Sequence, residues 1–238
     1  MASFNLKNLI LIALCSIPYG IHAEEAIITE NCEIIIDDFK GGIAPGWSEK
    51  SFNGKTQYSV TIEGDQSYLS AISNASASGL YYKIKYDPRE YPFIVWKWRI
   101  DNILKKGDAR KKSGDDYAAR IYVVFPSFFF WDTKAINYIW ANKLTKNHVV
   151  PNPYTANAMM VSVESGSADT GKWITERRNV FLDYQIFFGK EPPKVGAIAI
   201  MTDTDDTKEK TSASYGTIAI CKNDPLKKEK IDTSLDKN

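Results

Sequence analysis

Phe93-Ile94-Val95-Trp96-Lys97-Trp98-Arg99-Ile100 decides the fold. The run holds no glycine or proline and is rich in aromatic and β-branched residues, the composition of a strand. Period-two alternation puts Ile94, Trp96, Trp98 and Ile100 on one face and Lys97 and Arg99 on the other. The same pattern returns at Ala118–Phe125, where Ala119, Ile121, Val123 and Phe125 oppose Arg120 and Tyr122. It returns again at Met159–Glu164, where Met159, Val161 and Val163 oppose Met160, Ser162 and Glu164.

On either side of it, Cys32–Ile36, Gln57–Ile62, Ser67–Ile72, Gly79–Ile84, Val195–Met201 and Tyr215–Cys221 read as further strands, and the turn Glu63-Gly64-Asp65 joins two of them into a hairpin. Ile136–Trp140 alternates like a strand, with a helix through 133–144 as the alternative. The segment Asn179–Phe188 reads as the one helix, with Asn179 as N-cap and Gly189 as terminator. A basic loop (Lys105, Lys106, Arg110, Lys111, Lys112) reads as solvated. About ten strands with little helix predict a mainly β protein: an antiparallel β-sandwich of jelly-roll type with one or two short helices.

The ends place this domain in the chain. Lys7, an apolar run from Leu9 to Ile17, the breakers Pro18 and Gly20, and the small Ala23 before Glu24 and Glu25 make a secretory signal peptide. The apolar run is too short for a bilayer span, which needs about 20 residues. The expected organisation is a signal peptide at 1–23, a short leader at 24–31, one sandwich domain at 32–222, and a charged, disordered tail at 223–238. Roughly 215 residues remain after cleavage, a length that single β-sandwiches routinely reach. The expected localisation is exported, periplasmic or secreted. Cys32 and Cys221 survive cleavage, and an isolated pair in an oxidising compartment reads as a disulfide. So long a loop gives about 4–5 kcal/mol in the chain-entropy account, and the bridge requires the first and last strands to lie side by side.

Thirty basic residues balance 29 acidic ones. That argues against a nucleic-acid partner, which favours a basic surface, and gives no support to a generally charged membrane-binding surface or a stable membrane anchor. His148 is the one histidine beyond residue 23, so neither a multi-histidine zinc site nor a well-supported Ser-His-Asp triad emerges.

Were the strands neighbours, Lys97, Arg99, Arg120, Tyr122, Ser162 and Glu164 would line one polar, concave face. Arg is a planar fork for carboxylates, and Tyr and Trp offer flat faces to sugar rings. The plain alternative is a solvated face with ion pairs such as Arg120 to Glu164. The candidate ligand-binding residues are Trp96, Trp98, Arg99, Asp116, Arg120, Tyr122, Glu164, Arg178, Asp183 and Asp203. Arg178 precedes the helix, where it either binds an anion with the helix amides or pairs with Asp183. Glu164 and Asp183 are the candidate catalytic carboxylates. Asp203, Asp205 and Asp206 follow a strand with alternating oxygens, a pattern that suits calcium. Asp205 and Asp206, joined by Asp37 if the chain ends meet, form the candidate metal set, and calcium is the one cofactor considered.

The motifs Trp96–Arg99, Asp115–Phe125, Asn137–Trp140, Val163–Gly166, Arg178–Gly189 and Met201–Thr207 occur in that order. Together they resemble the bacterial domain-of-unknown-function family 3047, over roughly Asp37 to Cys221. Where that pattern commonly has Asn after the second Asp of the late acidic loop, this chain has Asp206. The resemblance implies a galactose-binding-like sandwich, the fold of many carbohydrate-binding modules, and carries no catalytic residues across.

Three readings follow, in order. The first is an exported, non-enzymatic binding domain for a saccharide or other polar small molecule. The second is a carboxylate-dependent polysaccharide hydrolase or lyase. The third is an envelope structural or interaction protein.

Overall fold

A computed structural model describes residues 26–227. The expected signal peptide, and the tail beyond 227, lie outside the described residues. Among the described residues, thirteen strands form two packed sheets. In chain order they are β1 Ile34–Asp37, β2 Trp47–Asn53, β3 Gln57–Glu63, β4 Gln66–Asn74, β5 Ala77–Tyr86, β6 Phe93–Ile100, β7 Arg120–Phe125, β8 Lys134–Ala141, β9 Val149–Asn152, β10 Thr155–Ser165, β11 Ile174–Asn179, β12 Val195–Asp203 and β13 Lys210–Cys221. One sheet runs β11-β6-β13-β4-β3, with β1 also on β13. The other runs β2-β5-β12-β7-β8-β10-β9.

Within 133–144 no helix is present, and Lys134–Ala141 form strand β8. Its apolar face, Ile136, Tyr138 and Trp140, enters the core. β8 and β10 pair in parallel, while β9 returns antiparallel along the outer side of β10. The helix spans Val180–Phe188; Asn179 accepts a bond from the Leu182 amide at 2.9 Å, and Gly189 closes it at φ 65°. A left-handed residue there favours glycine. Among the described residues no helix is long and apolar enough to cross a membrane.

The decisive strand does what its alternation dictates. Ile94, Trp96, Trp98 and Ile100 are all fully buried in the main core. Trp96 stacks on Tyr138 at 5.3 Å and Trp98 lies 5.9 Å from Trp140, so aromatic pairs join the sheets. This corrects their candidacy as ligand platforms, because the face that carries them is the inward one.

Cys32 and Cys221 are bridged. β1 lies antiparallel on β13, with Ile34 opposite Ile220. Residues 26–31 are helical, and Ile28 packs with Cys32, Val95, Ala219 and Cys221. The leader thus covers the disulfide. At the other end of the chain, the Asp224 carboxylate pairs with Arg177, which ties down the start of the expected tail.

Candidate functional site

The outer face of the seven-stranded sheet carries a cleft of about 670 Å³. Small residues make it. Ala77 and Gly79 on β5 and Ala197 and Ala199 on β12 project little above the sheet, and longer side chains rise around them. A Cβ on Gly79 would stand 3.1 Å from the Ile200 carbonyl oxygen. Phe52, Tyr81, Tyr122 and Tyr154 supply aromatic walls, and Lys50 closes one side.

A buried charge network forms one end. β7 and β12 are antiparallel neighbours with Arg120 opposite Met201, so Asp203 falls just past Arg120. The guanidinium donates to the Asp203 carboxylate and lies 4.0 Å from Asp115. It sits between the Tyr117 and Tyr122 rings, at 5.0 and 5.3 Å. Asp115 also accepts from the Tyr117 hydroxyl at 3.0 Å and the Asn152 amide at 2.8 Å. The Thr207 amide donates to Asp116 Oδ2 at 2.6 Å, while Asp116 Oδ1 is buried without a hydrogen-bond partner. Asp205 accepts from Asn53, and Asp206 from the Tyr154 hydroxyl.

Acids outnumber the cation here. Burial pushes the Asp116 carboxyl above the ordinary carboxylate range, against bonds from Thr207 that lower it. Burial also raises Asp206, and Asp116 and Asp205 add repulsion. Asp116, Asp203 and Asp205 offer oxygens within 4.8 Å of one another.

Of the residues named from the sequence, Arg120, Tyr122 and Asp203 line the cleft and Asp116 lies beneath it. Asp205 and Asp206 line it as well. Asp37 is not with them: its carboxylate accepts from the amides of Phe39 and Ala44 and from the Trp47 indole, at 2.8–2.9 Å.

The single charged face linking Arg99, Arg120 and Glu164 does not form. Arg99 belongs to the other sheet, against Tyr68 and Trp173. The β10 register shifts between Ser162 and Glu164, setting Glu164 beside Trp140 rather than Ala141. There it pairs with Lys146, not Arg120, and faces Glu176 of β11. Arg178 and Asp183 form a two-point ion pair at 2.9 and 2.6 Å, and the Tyr138 hydroxyl donates to Asp183 at 2.7 Å. Arg178 is therefore no anion site at the helix start. Neither Glu164 nor Asp183 lines the cleft.

Glu176 has a thermodynamic consequence. Burial and the facing Glu164 push its carboxyl up to about 8, against the pull of Lys146. A folded-state value above the unfolded one, about 4.3, stabilises the fold fully at low pH, and that stabilisation is lost as pH rises through 8. Allowing for its partial exposure, the protein is expected to lose about 2–3 kcal/mol from this group between pH 5 and 9. Urea unfolding across that range should show the slope, and Glu176→Gln should remove most of it. An unchanged slope in the variant contradicts the assignment.

Sequence reading missed Tyr81, Asn137, Asn152 and Tyr154 in the cleft. The alternation of small residues at Ala197 and Ala199 opposite core isoleucines was the available signal.

The family model described as "Protein of unknown function (DUF3047)" matches residues 45–219. The chain belongs to the DUF3047 family. No curated protein matches it. Among solved structures, this DUF3047 chain is similar to one described as a study of the promiscuous specificity of carbohydrate-binding modules from the β-sandwich superfamily. That match has 12% identity and a TM-score of 0.40, and covers 77% of this chain and 60% of that one, so the chain spans under two thirds of that relative. It is also similar to the cellulose-induced protein Cip1, at 10% identity and TM-score 0.46, with 80% and 98% covered. A third is the CBM22-1 xylan-binding domain of Paenibacillus barcinonensis Xyn10C, at 11% identity and TM-score 0.38, with 82% and 99% covered.

Proposed function

We propose that this DUF3047 protein is an exported, periplasmic or secreted binding domain that holds a neutral saccharide in the cleft of its seven-stranded sheet. One observation carries the reading: a trough floored by alanine and glycine, walled by Tyr81, Tyr122 and Tyr154, and ending in carboxylate and amide acceptors. Its volume falls within the range of small-molecule sites, about 300–1,000 Å³. Aromatic faces suit the apolar face of a sugar ring, and Asp205, Asp206 and Asn152 suit its hydroxyls. An anionic ligand fits poorly, because Arg120 is already engaged by Asp203 and the local charge is negative. The N-terminal signal pattern and the disulfide support export.

Glycan-array screening followed by calorimetry tests this. Tyr122→Ala and Asp205→Asn are each expected to weaken the selected glycan at least tenfold, the loss of a well-placed anchor. Turnover of the glycan, or variants that bind unchanged, contradicts the reading.

Asp116 Oδ1, buried and unpartnered, favours calcium as a second ligand of the same end of the cleft, held by Asp116, Asp203 and Asp205. Oxygen-only ligands are what calcium selects. The same calorimetry with calcium chloride, on the wild type and on Asp116→Asn, reads this directly: heat of binding in the first and none in the second.

A further inference from the structure

The β7–β8 connection carries Phe128, Phe129, Phe130 and Trp131 in succession, and their relative exposures are 95, 49, 81 and 60%. A run of four aromatic residues left in water at a hairpin tip is costly for a free monomer, and such patches mark interaction surfaces. The tip is nevertheless built. A 3-10 turn spans Phe130–Asp132, the Asp132 amide donates to the Phe129 carbonyl at 2.9 Å, and the Asn157 amide donates to the Trp131 carbonyl at 2.7 Å. The backbone is fastened while the rings point out.

The charge around the tip is not that of the chain as a whole. Lys134 and Lys190 line the hollow beside Phe128, and Lys83, Lys85 and Lys194 line the adjoining one. The acids of these hollows are Asp132 and Glu191. Glu191 is engaged by Arg89, which also bonds Asp87, so the five lysines carry an excess of positive charge. The acidic end of the cleft begins at Arg120, at the opposite end of β7, roughly 17–20 Å away at strand rise. Near-neutral composition thus conceals two poles on one sheet.

We propose that the Phe128–Trp131 tip and its lysine rim form a reversible docking surface for an anionic phospholipid bilayer. Aromatic side chains settle at the lipid headgroup level. Lysines beside them are drawn to anionic headgroups within a Debye length. The acidic end of the cleft would then lie on the side away from the membrane, where repulsion holds it and where a soluble ligand reaches it. A sugar-stacking platform suits the tip less well. Phe128 and Phe129 meet at 85° and Phe130 and Trp131 at 76°, so the rings form a wedge, with only Phe129 and Trp131 near coplanar at 17°. A neutral glycan would also leave the lysine rim without a role.

Co-sedimentation of the purified protein with vesicles tests the proposal, with every variant carrying the same chain ends. Phosphatidylcholine vesicles are compared with vesicles containing 30 mol% phosphatidylglycerol, a composition of the order used to mimic an anionic leaflet. Partitioning is expected to be at least tenfold stronger with the anionic lipid and to weaken at high salt. Phe128→Ser/Phe130→Ser/Trp131→Ser is expected to lose at least tenfold on anionic vesicles while keeping its melting temperature. Lys83→Glu/Lys85→Glu/Lys194→Glu should lose the preference for anionic lipid. Three results overturn the proposal: no wild-type partitioning; equal partitioning by the aromatic variant; or an aromatic variant that loses only glycan binding or self-association.

Discussion

Arg120→Met is expected to cost about 3–5 kcal/mol of stability, because removing one member of a buried ion pair strands the other. The guanidinium is 6% exposed and its partner Asp203 is 2% exposed, with Asp115 within 4.0 Å. Methionine fills much of the volume but returns no charge. Asp203 and Asp115 would then stand buried near Asp116 with no cation. For a domain of this size, a melting temperature lower by about 10 °C is the corresponding reading. The deficit should shrink as pH falls, because the orphaned carboxylates can take up protons. Burial already drives Asp203 upward, Arg120 opposes it, and Asp116 and Asp115 add repulsion; deleting Arg120 removes the one opposing charge. Arg120→Met/Asp203→Leu should recover part of the loss, since replacing both partners by apolar groups leaves fewer buried charges. A single variant that melts with the wild type at pH 7 would show that the network is solvated.

That network also shows what period-two reading can and cannot deliver. Alternation assigned Arg120 and Tyr122 to the face opposite Ile121 and Val123, and the structure puts them there because the core accepts only one side of β7. Asp116 and Asp203 were legible as separate candidate ligand-binding acids, but not as neighbours of each other or of Asp115. Which strands share a sheet was not legible. Arg99 has the same local pattern as Arg120, yet β6 and β7 lie in different sheets, so two outward faces point away from each other. A bulge is equally invisible in a hydrophobic pattern. The one at Ser162–Glu164 carried Glu164 out of register with Ser162 and Met160. Asp37 illustrates a third limit. An acid beside a glycine-rich turn serves a metal or backbone amides equally well, and here Phe39, Ala44 and Trp47 claim both its oxygens. The exposure of Phe128–Trp131 is likewise set by where the β7–β8 hairpin places the run, since its apolar composition alone does not separate a surface tip from a core segment.

The second large effect belongs to the disulfide. Cys32 and Cys221 are 189 positions apart, so the bridge ties nearly the whole sandwich into one loop. Cys32→Ser/Cys221→Ser is expected to cost about 2–5 kcal/mol, by releasing that constraint on the unfolded chain. The cost should be global rather than local, because the pair joins β1 to β13, and β13 is the strand that also holds β6 and β4. Reduction of the wild-type protein in denaturant should lower its urea midpoint to that of the double serine variant. The slope of the transition should fall slightly less steeply in the bridged form, whose unfolded state exposes less surface. Equal midpoints for oxidised, reduced and serine forms would mean that β1 and residues 26–31 hold the edge of β13 without the covalent link. Hydrogen exchange at Ile34–Ile36 and Ile218–Ile220 would then remain as slow after reduction as before it. The expected result is the reverse: faster exchange at this corner first, with the Trp96–Tyr138 core protected until the whole sandwich unfolds.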